Sequence, residues 1–491
     1  MIFRSIRTTW MPFFSTLCLA FLTTGYHPGM EDDGVYLSAI KSRLHPELYP
    51  HPDAVFFKLQ MQASLFDDLM AWIVRLTGIS LVWVELLVQI FSIGLILWAS
   101  LQIARRVFDH AGEQWGAVTL TAAMLTLPVS GTMLFIADQH LHPRNPATGL
   151  ILMAVLSVID CRPWRALPFL AAATLLHPLM GAMGISFTFF VALSFRPSFT
   201  PQRAATLNCL VALPILWLFA PSSPTWESAL QSRVELHLYQ WTWYEWLGAL
   251  APPFLFWLLQ CMSQKQGEIR LALLARAILF YSLFHQLLAM LMLCPAAPER
   301  LIPLQPMRYL QLVYLFMTLL AGGLIGRYLL KRSLWRWILY LLIANGSMFA
   351  AQRASFASVA HLELPGCVSS NPWQQAFVWI RENTPKDAFF AVDPNYMKAP
   401  DEDYYSFRAL AERSQLADAV KDTSVVAQIP NLSSIWHSQL QAEAGFEHFQ
   451  LNDFERLKTQ FGVNWTLVRY PQPSGLDCRW HNPVLAVCRI P

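Results

Sequence analysis

Residues 10–44 read WMPFFSTLCLAFLTTGYHPGMEDDGVYLSAIKSRL. An apolar run leads directly into three consecutive carboxylates, Glu31, Asp32 and Asp33, and then into a patterned segment. Arg4 and Arg7 precede the run, which gives it the outline of a cleavable leader. No small-x-small site follows, however, and Tyr26-His27-Pro28 is a poor substitute. The run therefore reads as a retained first helix crossing a bilayer, with the acids just beyond it.

Composition extends that reading to the whole chain. Of 491 residues, 55% are hydrophobic and 14% charged, where a soluble globular chain carries about 25% charged residues. Mean hydropathy is +0.37. Segments near the membrane-crossing length of ~20 residues fall at 10–24, 79–104, 115–137, 146–160, 166–177, 179–195, 205–220, 246–262, 271–293, 309–325 and 334–350. The expected fold is mostly α, a polytopic transmembrane helical bundle of about eleven spans. Segments around His177 are short and read as a hairpin that does not fully cross, which is tolerated where helices line a polar cavity. A net charge of +3, with no basic run interleaved with aromatics, gives no nucleic-acid partner.

The distribution of cations orients the bundle. With a cytoplasmic N-terminus, the inner connections hold Arg105/Arg106, Arg162/Arg165, Arg196/Arg203, Lys265/Arg270 and the Arg327, Lys331, Arg332, Arg336 group. The short outer connections hold only Arg144, Arg233, Arg300 and Arg308. Positive charge accumulates inside, so the acids and the C-terminal tail are expected on the extracytoplasmic face.

The loop at 25–69 is long and patterned. Tyr36, Leu37, Ile40 and Leu44 recur at helical spacing, as do Phe56, Leu59, Ala63, Phe66 and Met70. Such amphipathic helices lie along the membrane surface or pack the same faces against the bundle, and the pattern does not choose between them. Residues 1–366 form the transmembrane part and 367–491 a soluble α/β domain in this reading. Within the latter, NPWQQAFVWIREN and NDFERLKTQF read as helices, and AFFAVD, VNWTLVRY and PVLAVCRI as strands. The spacing of Cys478 and Cys488 fits a hairpin closed by a disulfide on the outer face. The charged stretch FRALAERSQLADAVKD reads as a solvated face, with Arg408 and Arg413 as lesser candidates for touching a sugar or phosphate.

Five polar sets then meet at the outer face: Glu31/Asp32/Asp33; Asp138, His140, His142, Arg144 and Asn145; His177; Glu227/Arg233/Glu235/His237; and Glu299, Arg300, Gln305 and Arg308. Ionisable groups near bilayer depth mark functional sites by default. One acid could simply cap the helix that begins near Gly34, but three exceed what a cap needs. Asp138, His140, His142 and His177 are ligand types that suit zinc, so a divalent metal enters as a weak alternative. No cofactor is otherwise implied.

The layout resembles the GT-C superfamily of membrane glycosyltransferases, which carry an acidic pair soon after the first span, surface helices in that first loop, and often an outer C-terminal domain. Glu31, Asp32 and Asp33 match the acidic motif; 36–44 and 56–70 match the loop helices. HPRNPATG, LLHPLMG, LQPMRYLQL and WIRENTPKDAFFAVDP are similar to stretches of uncharacterised bacterial multi-pass proteins, implying an inner-membrane location. A WWD-type acceptor motif is absent from the tail, against Asn-glycosylation. The resemblance implies transfer of a sugar from a polyprenyl-phosphate donor to a glycan, lipid or protein acceptor. Asp32 or Asp33, with Glu31 beside them, would be the base. Asp138, His140, His142, Arg144, Asn145, His177 and Arg308 would bind substrate or its phosphate. Two other classes compete: a transporter or flippase for a lipid-linked or anionic substrate, and a non-catalytic envelope-assembly protein.

Overall fold

The structure, a computed structural model, describes residues 2–195, 222–294, 297–367, 369–398 and 405–491. It is mostly helical. Among the described residues, six helices are long and apolar enough to cross a membrane: Leu81–Val107, Pro178–Phe195, Trp243–Lys265, Ile269–Met292, Glu299–Leu330 and Leu334–Ser355. Two shorter apolar helices, Thr9–Thr24 and Arg144–Ile159, stand among them. Leu81–Val107 shows why lipid is the matching solvent. It turns Trp83, Leu87 and Phe91 outward and buries Glu85, Gln89 and Ser92, the reverse of a soluble helix. Close crossings rely on missing side chains. A Cβ on Gly116 would come 2.5 Å from the carbonyl oxygen of Gly322, and one on Gly322 would come 2.4 Å from that of Gly116.

The expected crossing at 115–137 is corrected. The helix is Ala111–Ala123, followed by a hairpin of β1 (Pro128–Val129) with β2 (Leu134–Phe135) and a buried loop. Pro128 cannot continue a helical ladder, and Leu125, Val129, Leu134 and Ile136 fill the protein core rather than facing lipid. Hydropathy alone cannot separate those two destinations. The helix Ala166–Leu176 has 11 residues and stops where His177 turns extended, so only the first arm of the expected hairpin is short; the second, Pro178–Phe195, is long and apolar enough to cross. The expected span at 205–220 lies outside the described residues.

In the first loop, packing against the bundle is the reading the structure takes for Asp33–Leu44. Tyr36 and Ile40 pack with Phe66, Met70, Val84 and Leu141. The helix Phe66–Thr77 divides its surface, burying Phe66, Met70 and Ala71 while Leu69, Trp72 and Leu76 face outward.

Past residue 370 the chain builds a five-stranded sheet in the order β4 (Ser414–Gln415), β3 (Phe389–Val392), β5 (Trp465–Arg469), β7 (Leu485–Arg489), β6 (Asp477–His481). The first three strands are parallel and the last two antiparallel to their neighbours. Both faces of the sheet's centre are covered, which is why β3 and β7 are near-continuous apolar runs, whereas the edge strand β6 (DCRWH) alternates exposed and half-buried residues. Pro372–Asn383 and Phe407–Ala411 lie on the face carrying Phe390, Trp465 and Val487; Leu451–Phe461 lies on the other, against Phe389, Val468 and Cys488. Asn371 caps the first of these helices by accepting from the N–H groups of Trp373 and Gln374. Cys478 and Cys488 stand opposite each other in the β6–β7 register and form the expected disulfide.

This unit is fastened onto the first loop. Tyr26 pairs with Leu362 and Met30 with Tyr405, and Met30 is part of the sheet unit's own core. Gly34 packs so tightly that an added Cβ would meet Ser406 Cβ at 2.2 Å. The acids at 31–33 are thereby sandwiched between bundle and sheet unit.

Candidate functional site

A cleft of about 320 Å³ opens where the bundle, the first loop and the sheet unit meet. Of the residues singled out in the sequence, Asp32, His142, His177 and Arg308 line it, together with Arg233, Arg300 and Gln305. Tyr36, Trp226, Ser64, Ser424 and Gln428 complete much of the wall.

The acids divide sharply. Asp32 is 42% exposed, with Oδ1 3.3 Å from Lys421 Nζ and Oδ2 3.7 Å from His142 Nε2. Burial would push its carboxyl up, but Lys421, His142 and Arg144 together hold it well below the usual carboxylate range. Asp33 points elsewhere: it is buried, accepts the Gly29 N–H at 2.6 Å, and is pushed up to about 7, chiefly by burial. Glu31 reaches Lys421 Nζ at 2.6 Å from a left-handed backbone conformation, φ 49°. Gln305, on the opposite wall, is also left-handed at φ 46° and accepts from Arg308 Nε. Strained non-glycine backbone in the cleft wall at Gln305, and next to cleft-lining Asp32 at Glu31, fits a site whose surroundings over-determine it.

The histidines have fixed tautomers. The Arg144 N–H donates to His142 Nδ1 (3.0 Å), and the Met180 N–H donates to His177 Nδ1 (3.3 Å). Each neutral ring therefore carries its proton on Nε2. Burial keeps both imidazoles neutral, helped at His142 by Arg144 and at His177 by Arg308. The rings stack at 5.6 Å, with Tyr36 edge-on to His142 at 5.0 Å. His177 Nε2 lies 3.5 Å from Arg308 Nη1, so two donors face each other without an acceptor between them. An oxyanion is the ligand that such a pair accommodates.

The DQHLHPRNP stretch supplies mostly the wall behind the cleft. Arg144 donates to both oxygens of Asp138, at 3.1 and 2.6 Å. Asn145 accepts from the Asp138 N–H and donates to Gln89 and to the carbonyls of Asp138 and His140, clamping the loop. His140 is buried, and burial pushes it down to about 3. Elsewhere Glu235 holds Arg233 at 2.5 Å, and Arg300 lies over the Trp226 ring. Glu227 accepts from Ser222, and His237 contacts the Leu230 carbonyl. Among the described residues no three His, Cys, Asp or Glu side chains gather to hold a metal ion, and Asp138 is already taken by Arg144.

Two readings of the tail are corrected. Arg408 does not reach the cleft; it is buried against Asp53 (2.9 Å) and Asp422 (2.8 Å). Arg413 spends its donors on Thr384 and on the Arg381 and Glu412 carbonyls. Within the same stretch Lys421, read as part of a solvated face, is the cation on the cleft acids. Its signal in the sequence was only one lysine among other charges, which no periodicity distinguishes.

No family model matches the chain, and no curated protein matches it. Among solved structures, an Archaeoglobus fulgidus oligosaccharyltransferase, crystallised with Zn and sulfate, superposes over 93% of this chain and 68% of its own, at 12% identity and a TM-score of 0.44. That likeness is too loose to assign a function.

Proposed function

We propose that the protein is an integral membrane glycosyltransferase that moves a sugar from a polyprenyl-phosphate donor to an acceptor on the extracytoplasmic face. One observation carries the reading: a single cleft sets the ionised Asp32 against three guanidiniums, Arg233, Arg300 and Arg308, and two imidazole N–H donors. Such a cleft serves both ends of a displacement at an anomeric carbon. Asp32 takes the proton of the acceptor hydroxyl as its oxygen bonds to the anomeric carbon. The bond from that carbon to the phosphate oxygen breaks, and its electron pair leaves with the lipid phosphate. Arg308 and the His177 N–H receive the departing charge, with Arg233 and Arg300 at the rim. Asp33 is too deeply buried and too firmly held by Gly29 to share the role of base.

Further support comes from the family resemblance of the acidic motif and loop helices, and from the Cys478–Cys488 disulfide, which suits an oxidising compartment. The bacterial inner membrane is the matching location. A flippase would need a route through the bundle, whereas among the described residues the helices pack around an apolar core.

The test is reconstitution in vesicles with a radiolabelled polyprenyl-phosphate sugar and a panel of glycan, lipid and peptide acceptors. Label is expected to move to an acceptor. Donor crossing between leaflets with no transfer would replace this reading with transport.

A further inference from the structure

The cation on the cleft acids comes from the sheet unit, more than 380 residues along the chain, and the route that holds it there is continuous. Asp53, in the first loop, binds Arg408 and the Gln415 N–H. Arg408 grips both oxygens of Asp422. Asp418 accepts the N–H groups of Val420, Lys421 and Asp422, fixing the start of the helix Lys421–Gln428. From that start Lys421, 8% exposed, reaches back to Glu31 and Asp32. A long, flexible side chain is thus held between two charge contacts to the same loop. Solvation alone would not place it there.

We infer that Lys421 is a positioning residue that holds the Asp32 carboxylate ionised and aimed into the cleft, so that the sheet unit completes the active centre instead of merely covering it. This rests on the transferase reading for the role of Asp32, but the geometry stands without it. Groups facing Asp32 are Glu31 and Asp33 on its own segment, Tyr36 one turn on, His142 and Arg144 behind, Arg308 across the cleft, and Lys421. Lys421 is the largest of the influences that favour the charged form.

The experiment titrates Asp32 in the full-length, detergent-solubilised protein. Protonated carboxyls are captured with a carbodiimide and an amine across a pH series, and modification of residue 32 is read by peptide mass spectrometry. Lys421→Met is expected to raise the midpoint by about one pH unit or more, and Lys421→Arg to restore most of the wild-type value. Glu31→Gln tests the same contact without cutting a buried cation: it should lower the midpoint, because the lysine then serves one carboxylate. With the sugar donor, Lys421→Met should lower kcat tenfold or more with KM little changed, and move the acid limb of the rate profile upward by the same interval. Unchanged midpoints in Lys421→Met and Glu31→Gln would overturn the inference. A shifted midpoint in a protein whose wild type transfers no sugar would leave Lys421 in its role and remove the transferase reading.

Discussion

Two groups of opposite charges sit within the same interface between bundle, first loop and sheet unit, and they differ in one respect. Around Arg408 the charges are paired within the protein: Asp53 and Asp422 share the guanidinium, and the N–H groups of Gln415 and Asp418 donate to Asp53 Oδ2 and Asp422 Oδ2. Around Asp32 the arrangement is open. Lys421 and His142 approach from one side, while Arg233, Arg300 and Arg308 face a cavity from the other. A network whose charges are paired with one another away from the cleft serves to hold two chain segments together. An open one, with donors directed into a cleft, is suited to a ligand that completes it. Charge density in the sequence is alike at both places.

The sharpest way to break that contrast is at Asp32. Asp32→Asn should reduce transfer by roughly 10²–10⁴-fold in a protein that still folds, its unfolding temperature lowered by the lost contact to Lys421; retained turnover would place the base elsewhere. Removing a donor from the open side comes next. Arg308→Gln should lower turnover by roughly 10²–10³-fold, and the donor's dissociation constant should rise with it, as measured by equilibrium binding.

The closed network should respond in the opposite manner. Arg408→Met strands two buried carboxylates and is expected to cost about 3–5 kcal/mol in denaturant unfolding, with turnover per folded molecule at low temperature falling less than in Lys421→Met, where the contact to Asp32 itself is cut. If instead stability held and turnover fell as far as in Lys421→Met, the distinction between the networks would be wrong.

Asp33 gives the mildest case. Its carboxyl titrates near 7 when folded, against about 3.9 in an unfolded chain. The folded state therefore binds the extra proton between those values, and stability declines as pH rises through that window. Asp32 has the opposite sign: its stabilisation is present above the unfolded value and is lost as pH falls through its lower folded one. Asp33→Asn should flatten the pH dependence of the unfolding temperature between pH 4 and pH 7 and leave transfer close to wild type.

Much of the molecule was legible beforehand because it follows from local composition. Apolar runs that need lipid, strands covered on both faces, and the Cys478–Cys488 hairpin all announce themselves over short windows. Where two environments ask for the same composition, as at 115–137, the reading went to lipid and the chain went to a packed loop.

By itself the sequence determined that this chain belongs in a membrane and that its acids, histidines and arginines are too costly there to be idle. Only the tertiary structure decided which of them share a cleft. Asp32 enters it and Asp33 does not, because adjacent residues at a helix start point in different directions. Lys421 arrives from the far end of the chain through contacts that no window of residues contains. Solvation is priced residue by residue, but convergence depends on long-range packing.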